Sequence, residues 1–275
     1  MKITAKEVNE LRKATGAGMM DCKKALQEAE GNMDEAIDIL RKKGQKVAAK
    51  RADREAGEGV VLAKVSDDKK FAAAVMINCE TDFVAKNQDF IDFVQSVIDV
   101  AVDSKAKNID ELNALNLDNS TVAEAIVERT GVIGEKIQLG DYQIVEGESV
   151  YSYIHNGNRI ASIVALNKAG EFDEAGKDVA MQIAAMAPVA LNKEQVSEEV
   201  KQHEINIGME QARAEGKPEA MLEKIAMGRL NKFFKENTLL AQAFIKNSKQ
   251  NVADYLKTYD PDLTVVSYKR LALAV

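Results

Sequence analysis

The chain has 275 residues, a formal charge of −7, 46% hydrophobic and 29% charged residues, and no Trp. This is the balance of a globular chain with a sizeable core of aliphatics, Ala and Met, not of a disordered one. Its net acidity argues against general nucleic-acid affinity, no apolar run reaches the length of a membrane span, and two distant histidines exclude a histidine-rich metal site.

Residues 1–55 read as a small helical module. Met1-Lys2-Ile3-Thr4 lacks the apolar run of a secretory leader, so a cytoplasmic location is expected. Thr4-Ala5-Lys6-Glu7 forms a capping box, and Val8 and Leu11 supply an apolar face behind it. Gly16 and Gly18 break that helix. Asp21 is placed to cap a second one over 22–30, and Gly31 ends it. Asn32 and Glu35 start a third helix, through Ile37 and Leu40 to Gly44. Met19 and Met20 in the loop fill the core or form an adaptable contact surface. Residues 41–54 carry Arg41, Lys42, Lys43, Lys46, Lys50, Arg51 and Arg54 against Asp53. No aromatic side chain is interleaved for base stacking, so a solvated, mostly helical linker is expected.

From Gly57 the pattern changes. Residues 60–65 and 71–77 are the strands of a hairpin, with Ser66-Asp67-Asp68-Lys69-Lys70 as its turn. The second strand lacks polar alternation and reads as buried. A long amphipathic run over 83–102 follows, with Val94, Val97, Ile98, Ala101 and Val102 on one helical face. Thr81 or Asp82 can cap its first turn, where a negative charge also suits the helix dipole. Phe83, just after the cap, has two readings. It lies two turns before Phe90 and continues the buried stripe, or it is an exposed tip that another protein accommodates. Short helices over 109–115 and 121–129 follow. Gly131-Val132-Ile133-Gly134-Glu135 then turns the chain into a strand over 136–145.

The strand–turn–strand–helix pattern recurs about ninety residues later, at 150–155, 159–166 and 173–186. An internal duplication is expected. The second copy has no counterpart of Asp82-Phe83, which marks the first loop as carrying more than architecture. Residues 194–215 and 218–236 form a helical hairpin around Gly216-Lys217-Pro218. Met209, Met221, Leu222, Ile225, Met227 and Leu230 line its seam or meet a second copy of the chain. A helix over 252–259 and a strand over 264–273 complete the chain. The expected architecture is α+β: a helical module at 1–55, a subdomain at 56–140, and a related one at 141–275 with the hairpin at about 190–236.

No phosphate cradle is present. Residues 170–177 approach the Walker A spacing but have one residue too many and are followed by Asp178. Gly16-Ala17-Gly18 has Asp21 where a dinucleotide fingerprint needs its third Gly. Cys22 and Cys79 form no CxxC pair, and Cys79 closes a buried strand, where a thiol is inert. A Cys79–His155 nucleophile pair is therefore disfavoured, and no cofactor is called for.

Thr15-Gly16-Ala17-Gly18-Met19-Met20-Asp21-Cys22-Lys23-Lys24-Ala25-Leu26 resembles the N-terminal signature of the bacterial elongation factor Ts family. Thr81-Asp82-Phe83-Val84-Ala85-Lys86 resembles that family's second signature, and the similarity runs over essentially the whole chain. The resemblance implies a guanine-nucleotide exchange factor for elongation factor Tu, with an N-terminal module like ubiquitin-associated domains. It implies that Thr81, Asp82, Phe83 and Val84 dislodge the partner's Mg²⁺, and that Arg12, Met19, Met20, Ile133, Gly134 and His155 support the docking. A contrasting reading is a non-catalytic adaptor that binds through residues 1–55 alone.

Overall fold

The computed structural model describes residues 3–274, so the reading of Met1 and Lys2 as free of a leader lies outside the described residues, as does Val275. The first helix, α1 (Ala5–Thr15), carries the expected capping box, both halves formed between Thr4 and Glu7. The second, α2 (Met19–Glu28), starts three residues earlier than Asp21 predicted. Gly18 occupies the cap position without a side-chain bond, and Asp21 instead pairs with Lys43 at 2.5 Å. The third, α3 (Met33–Arg51), is capped by Asn32 and does not stop at Gly44 but continues through the basic run. Val8, Leu11, Cys22, Ala25, Leu26 and Ala36 form the small core of these helices. Met19 and Met20 are not core fillers: they are 55% and 61% exposed.

Next come β1 (Glu58–Val65), β2 (Phe71–Cys79), a four-residue helix α4 (Asp82–Ala85) and the long α5 (Gln88–Asp103). The expected continuous helix over 83–102 is thus broken, because Asn87 caps α5 afresh. After α6 (Ile109–Ala114), a small ladder of β3 (Asn116–Leu117) and β4 (Ser120–Thr121) leads into α7 (Val122–Ile133). α7 holds Gly131, Val132 and Ile133, which were expected in the turn, and stops at left-handed Gly134. Then come β5 (Gln138–Glu146), β6 (Ser149–Ile154), β7 (Ile160–Leu166), α8 (Asp173–Met186), α9 (Glu198–Ala214) and α10 (Leu222–Asn237). The tail has β8 (Ala243–Phe244), β9 (Asn247–Asn251), α11 (Val252–Lys257) and β10 (Val265–Ala272).

The two halves share a topology. In the first sheet β2 lies between β1 and β5, and in the second β7 lies between β6 and β10, all antiparallel. In each, the last strand pairs with a one-residue shift, leaving Gly140 and Val266 as the extra residues. The sheets pack face to face through Ala72, Ala74, Ala161, Ile163 and Ala165. The opposite face of β2, with Ala73, Val75 and Ile77, packs on α5, while Val164 and Leu166 of β7 pack with Val179 and Ile183 of α8. Each central strand is covered on both sides, which is why neither sequence alternates with polar residues.

The α9–α10 hairpin closes on small residues rather than on methionines. Gly208, Ala212, Leu222, Ala226 and Leu230 are buried in it, whereas Met221 and Met227 are exposed. The Cβ of Gly208 would sit 3.1 Å from the Ala226 Cα, so the helices approach closely there.

Candidate functional site at the end of the second strand

β2 ends at buried Cys79, opposite Glu58 in the ladder, and the chain leaves the sheet through Glu80. Thr81, not Asp82, caps α4: its hydroxyl accepts the Val84 N–H at 3.5 Å. Asp82 and Phe83 are the first two helical residues. Because Asn87 restarts the helix, Phe83 falls out of phase with Phe90. Phe90 is 2% exposed and Phe83 is 83% exposed, so Phe83 projects as a tip. Val84 is half-buried against the first core and anchors the turn from below.

Asp82 pairs with Lys86 one helical turn on, at 2.6 Å, and the Lys86 hydrogen bond holds its carboxyl below the usual aspartate range. The Sγ of Cys79 donates to the Thr81 carbonyl at 3.2 Å, and burial pushes its thiol up to about 12. A thiol with that pKa is protonated at neutral pH and is not a nucleophile. His155 is exposed, and its Nδ1 shares a hydrogen bond with the Tyr153 hydroxyl at 3.1 Å, not with Cys79.

Several of the expected residues gather at this end of the sheets. Ile133 closes α7 against the first core, Gly134 reverses the chain, and Glu135 then bonds directly to the tip's base. His155 stands in the β6–β7 turn, where the Asn158 carbonyl accepts the Val61 N–H at 2.8 Å and Arg159 pairs with Glu58. Arg12, Met19 and Met20 stand apart on the N-terminal helices. Among the described residues they make no hydrogen bond or ion pair with the tip. The loop between them, at Gly16, lies against Arg129 and Val132 of α7, and Gly44 of α3 crosses Gly131 of the same helix. α7 thus has the N-terminal module along its flank and the tip at its end.

Sequence reasoning missed the residues that hold the tip. Glu135 accepts the N–H groups of Glu80 and Thr81 at 3.1 and 3.0 Å and the Thr81 hydroxyl at 2.7 Å. Glu80 accepts the Lys136 N–H at 2.6 Å and the Arg51 guanidinium at 3.0 Å. These pairs span up to 56 positions, so no local pattern announces them. No cluster of metal-ligating side chains exists among the described residues, and no helix among them is long and apolar enough to cross a membrane. What the arrangement offers is an exposed apolar tip beside a carboxylate, on a braced turn.

A family model described as elongation factor TS matches residues 80–274. A relative named elongation factor Ts from Christiangramia forsetii is 54% identical over 273 residues, covering 99% of each chain. Another so named, from Porphyromonas gingivalis, is 50% identical over 274 residues, again covering 99% of each. The correspondingly named protein of Bacteroides thetaiotaomicron is 42% identical, with the same coverage.

Proposed function

The chain belongs to the elongation factor Ts family, and on that premise we propose that it is a guanine-nucleotide exchange factor for elongation factor Tu. The observation that carries the mechanism is the 83% exposure of Phe83 on a turn whose every other side chain is braced or paired. A solvated aromatic on a fixed base gains free energy only when a partner buries it. Asp82 brings a negative charge to the same contact. Pushed toward the Mg²⁺ and phosphate region of the partner's GTP-binding domain, the pair displaces ligands or waters of an ion that demands near-octahedral coordination. Loss of that ion weakens nucleotide binding. The coupling is reciprocal, so rebinding of nucleotide expels the factor as strongly as the factor expels GDP.

The exposed Met19 and Met20, with Arg12 on the neighbouring helix, supply a second contact, and Ile133-Gly134 and His155 flank the tip. In this reading residues 1–55, 56–140 and 141–275 are the working units of one factor, not an adaptor with an inert remainder. Stopped-flow release of labelled GDP from elongation factor Tu tests it. Release accelerates with added protein and saturates. Unchanged release at saturating protein overturns the reading.

A further inference from the structure

The turn that carries Phe83 cannot hold itself. α4 has four residues, far below the length at which a helix is stable alone. Its one side-chain cap bond is 3.5 Å long, and the same Thr81 hydroxyl donates a shorter one, 2.7 Å, to Glu135. What fixes the turn is a reciprocal exchange between two loops. The Glu135 carboxylate binds the backbone of the tip loop at Glu80 and Thr81, and the Glu80 carboxylate binds the backbone of Glu135's own loop at Lys136. A third element joins them. Arg51, at the end of α3, donates to both oxygens of Glu80, and Lys136 Nζ caps the same helix end at the carbonyls of Ala52 and Arg54, 2.8 and 3.0 Å away. The Glu80 side chain is only 16% exposed, and the Lys136 N–H holds its carboxyl below the usual range, so Glu80 is ionised at neutral pH.

We propose that Glu135 and Glu80 are positioning residues for nucleotide exchange, locking the turn that aims Phe83 and, through Arg51, tying the N-terminal helices to that aim. This rests on the exchange-factor reading above. Each carboxylate acts through the tip and touches neither nucleotide nor ion.

The test uses the full chain with Glu135→Ala, Glu135→Gln and Phe83→Ala, singly and combined. Wild type and Phe83→Ala are measured first, so failure of the exchange reading itself is seen at once. Amide hydrogen exchange of the free protein is the readout independent of function. Glu135→Ala should speed exchange at the Glu80 and Thr81 amides about tenfold while the centre of β2 stays protected, as loss of a charge-assisted hydrogen bond at a local opening predicts. GDP release should slow about tenfold, because the partner must then order on docking a turn that the brace holds ready in the wild type, and Glu135→Gln, which keeps one acceptor oxygen, should lose less. In the Phe83→Ala background Glu135→Ala should add little, because its effect passes through Phe83. Unchanged amides at Glu80 and Thr81 overturn the proposal. So do losses that multiply independently in the double variant.

Discussion

Phe83→Ala separates a core residue from a tip. Burying a Phe side chain completely is worth about 1.5–3 kcal/mol. At 83% exposure only about a sixth of that is realised in the free protein, so the substitution should cost no more than about 0.5 kcal/mol of stability. For a chain of this size that shifts the melting temperature by at most about 2 °C. Phe90→Ala, two turns on and 2% exposed, is the matched control and should cost about 3–5 kcal/mol. The full transfer energy of Phe83 should appear instead in the complex, as a loss of about tenfold to a hundredfold in GDP-release rate at limiting factor. Some binding should survive, since the contact extends beyond one ring. The assay is a melting curve beside stopped-flow release on the same preparations. A melting temperature lowered by many degrees, with normal exchange from the folded fraction, would refute the reasoning and return Phe83 to the helix stripe.

Asp82→Asn removes the charge but not the cap, which Thr81 supplies, so the melting curve should stay near wild type while GDP release slows. Unfolding with normal exchange per folded molecule would contradict this. At the crossing of α3 and α7 the two glycines should behave unequally. A Cβ on Gly131 would lie 2.4 Å from the Gly44 Cα, whereas one on Gly44 meets nothing closer than 3.6 Å. Gly131→Ala should therefore cost about 1–3 kcal/mol by overpacking, and Gly44→Ala should be neutral or gain up to about 1 kcal/mol of helix propensity; equal melting shifts would sink the account. Glu80 gives a pH signature. Its carboxyl is held below the ordinary 4.5 by the Lys136 N–H, so its contribution is complete above that value and is lost as pH falls through the lower folded value. The protection factor of the Lys136 amide should be flat from neutrality to about 4.5 and decline below it. Glu80→Gln should abolish that acid step.

Much of the fold is readable locally. Thr4 with Glu7 and Asn32 with Glu35 announce two helix starts because a cap is a contact three residues long. The unalternating run at 72–77 marks a strand covered on both faces, and the repeat of the hairpin-plus-helix pattern marks the second sheet. The failures have physical causes too. Asp21 is a good cap former, but Gly18 starts α2 earlier and leaves Asp21 free to pair with Lys43. Gly44 reads as a stop, yet it sits inside α3, where the helix continues past its crossing with Gly131 of α7. The methionines of the hairpin look like seam residues, but Gly208, Ala212 and Ala226 bring the helices so close that Met221 and Met227 are left outside.

The tip is the most instructive case. Periodicity places Phe83 on the buried stripe because it assumes one uninterrupted helix. Asn87 breaks that assumption: its side chain caps the Asp89 N–H at 2.9 Å and resets the phase. The signal was present in the sequence, since Asn is a preferred cap, but a run of good helix formers outweighed it. The brace had no such signal. Glu80 and Glu135 are ordinary acids in loops, and only the fold sets each beside the backbone of the other's loop. A local signature can mark the residue that meets a partner, while the residues that aim it are chosen by tertiary structure. That division explains why the Thr81–Lys86 motif marks the tip yet contains only the Thr81 end of two of the three Glu135 bonds that hold it.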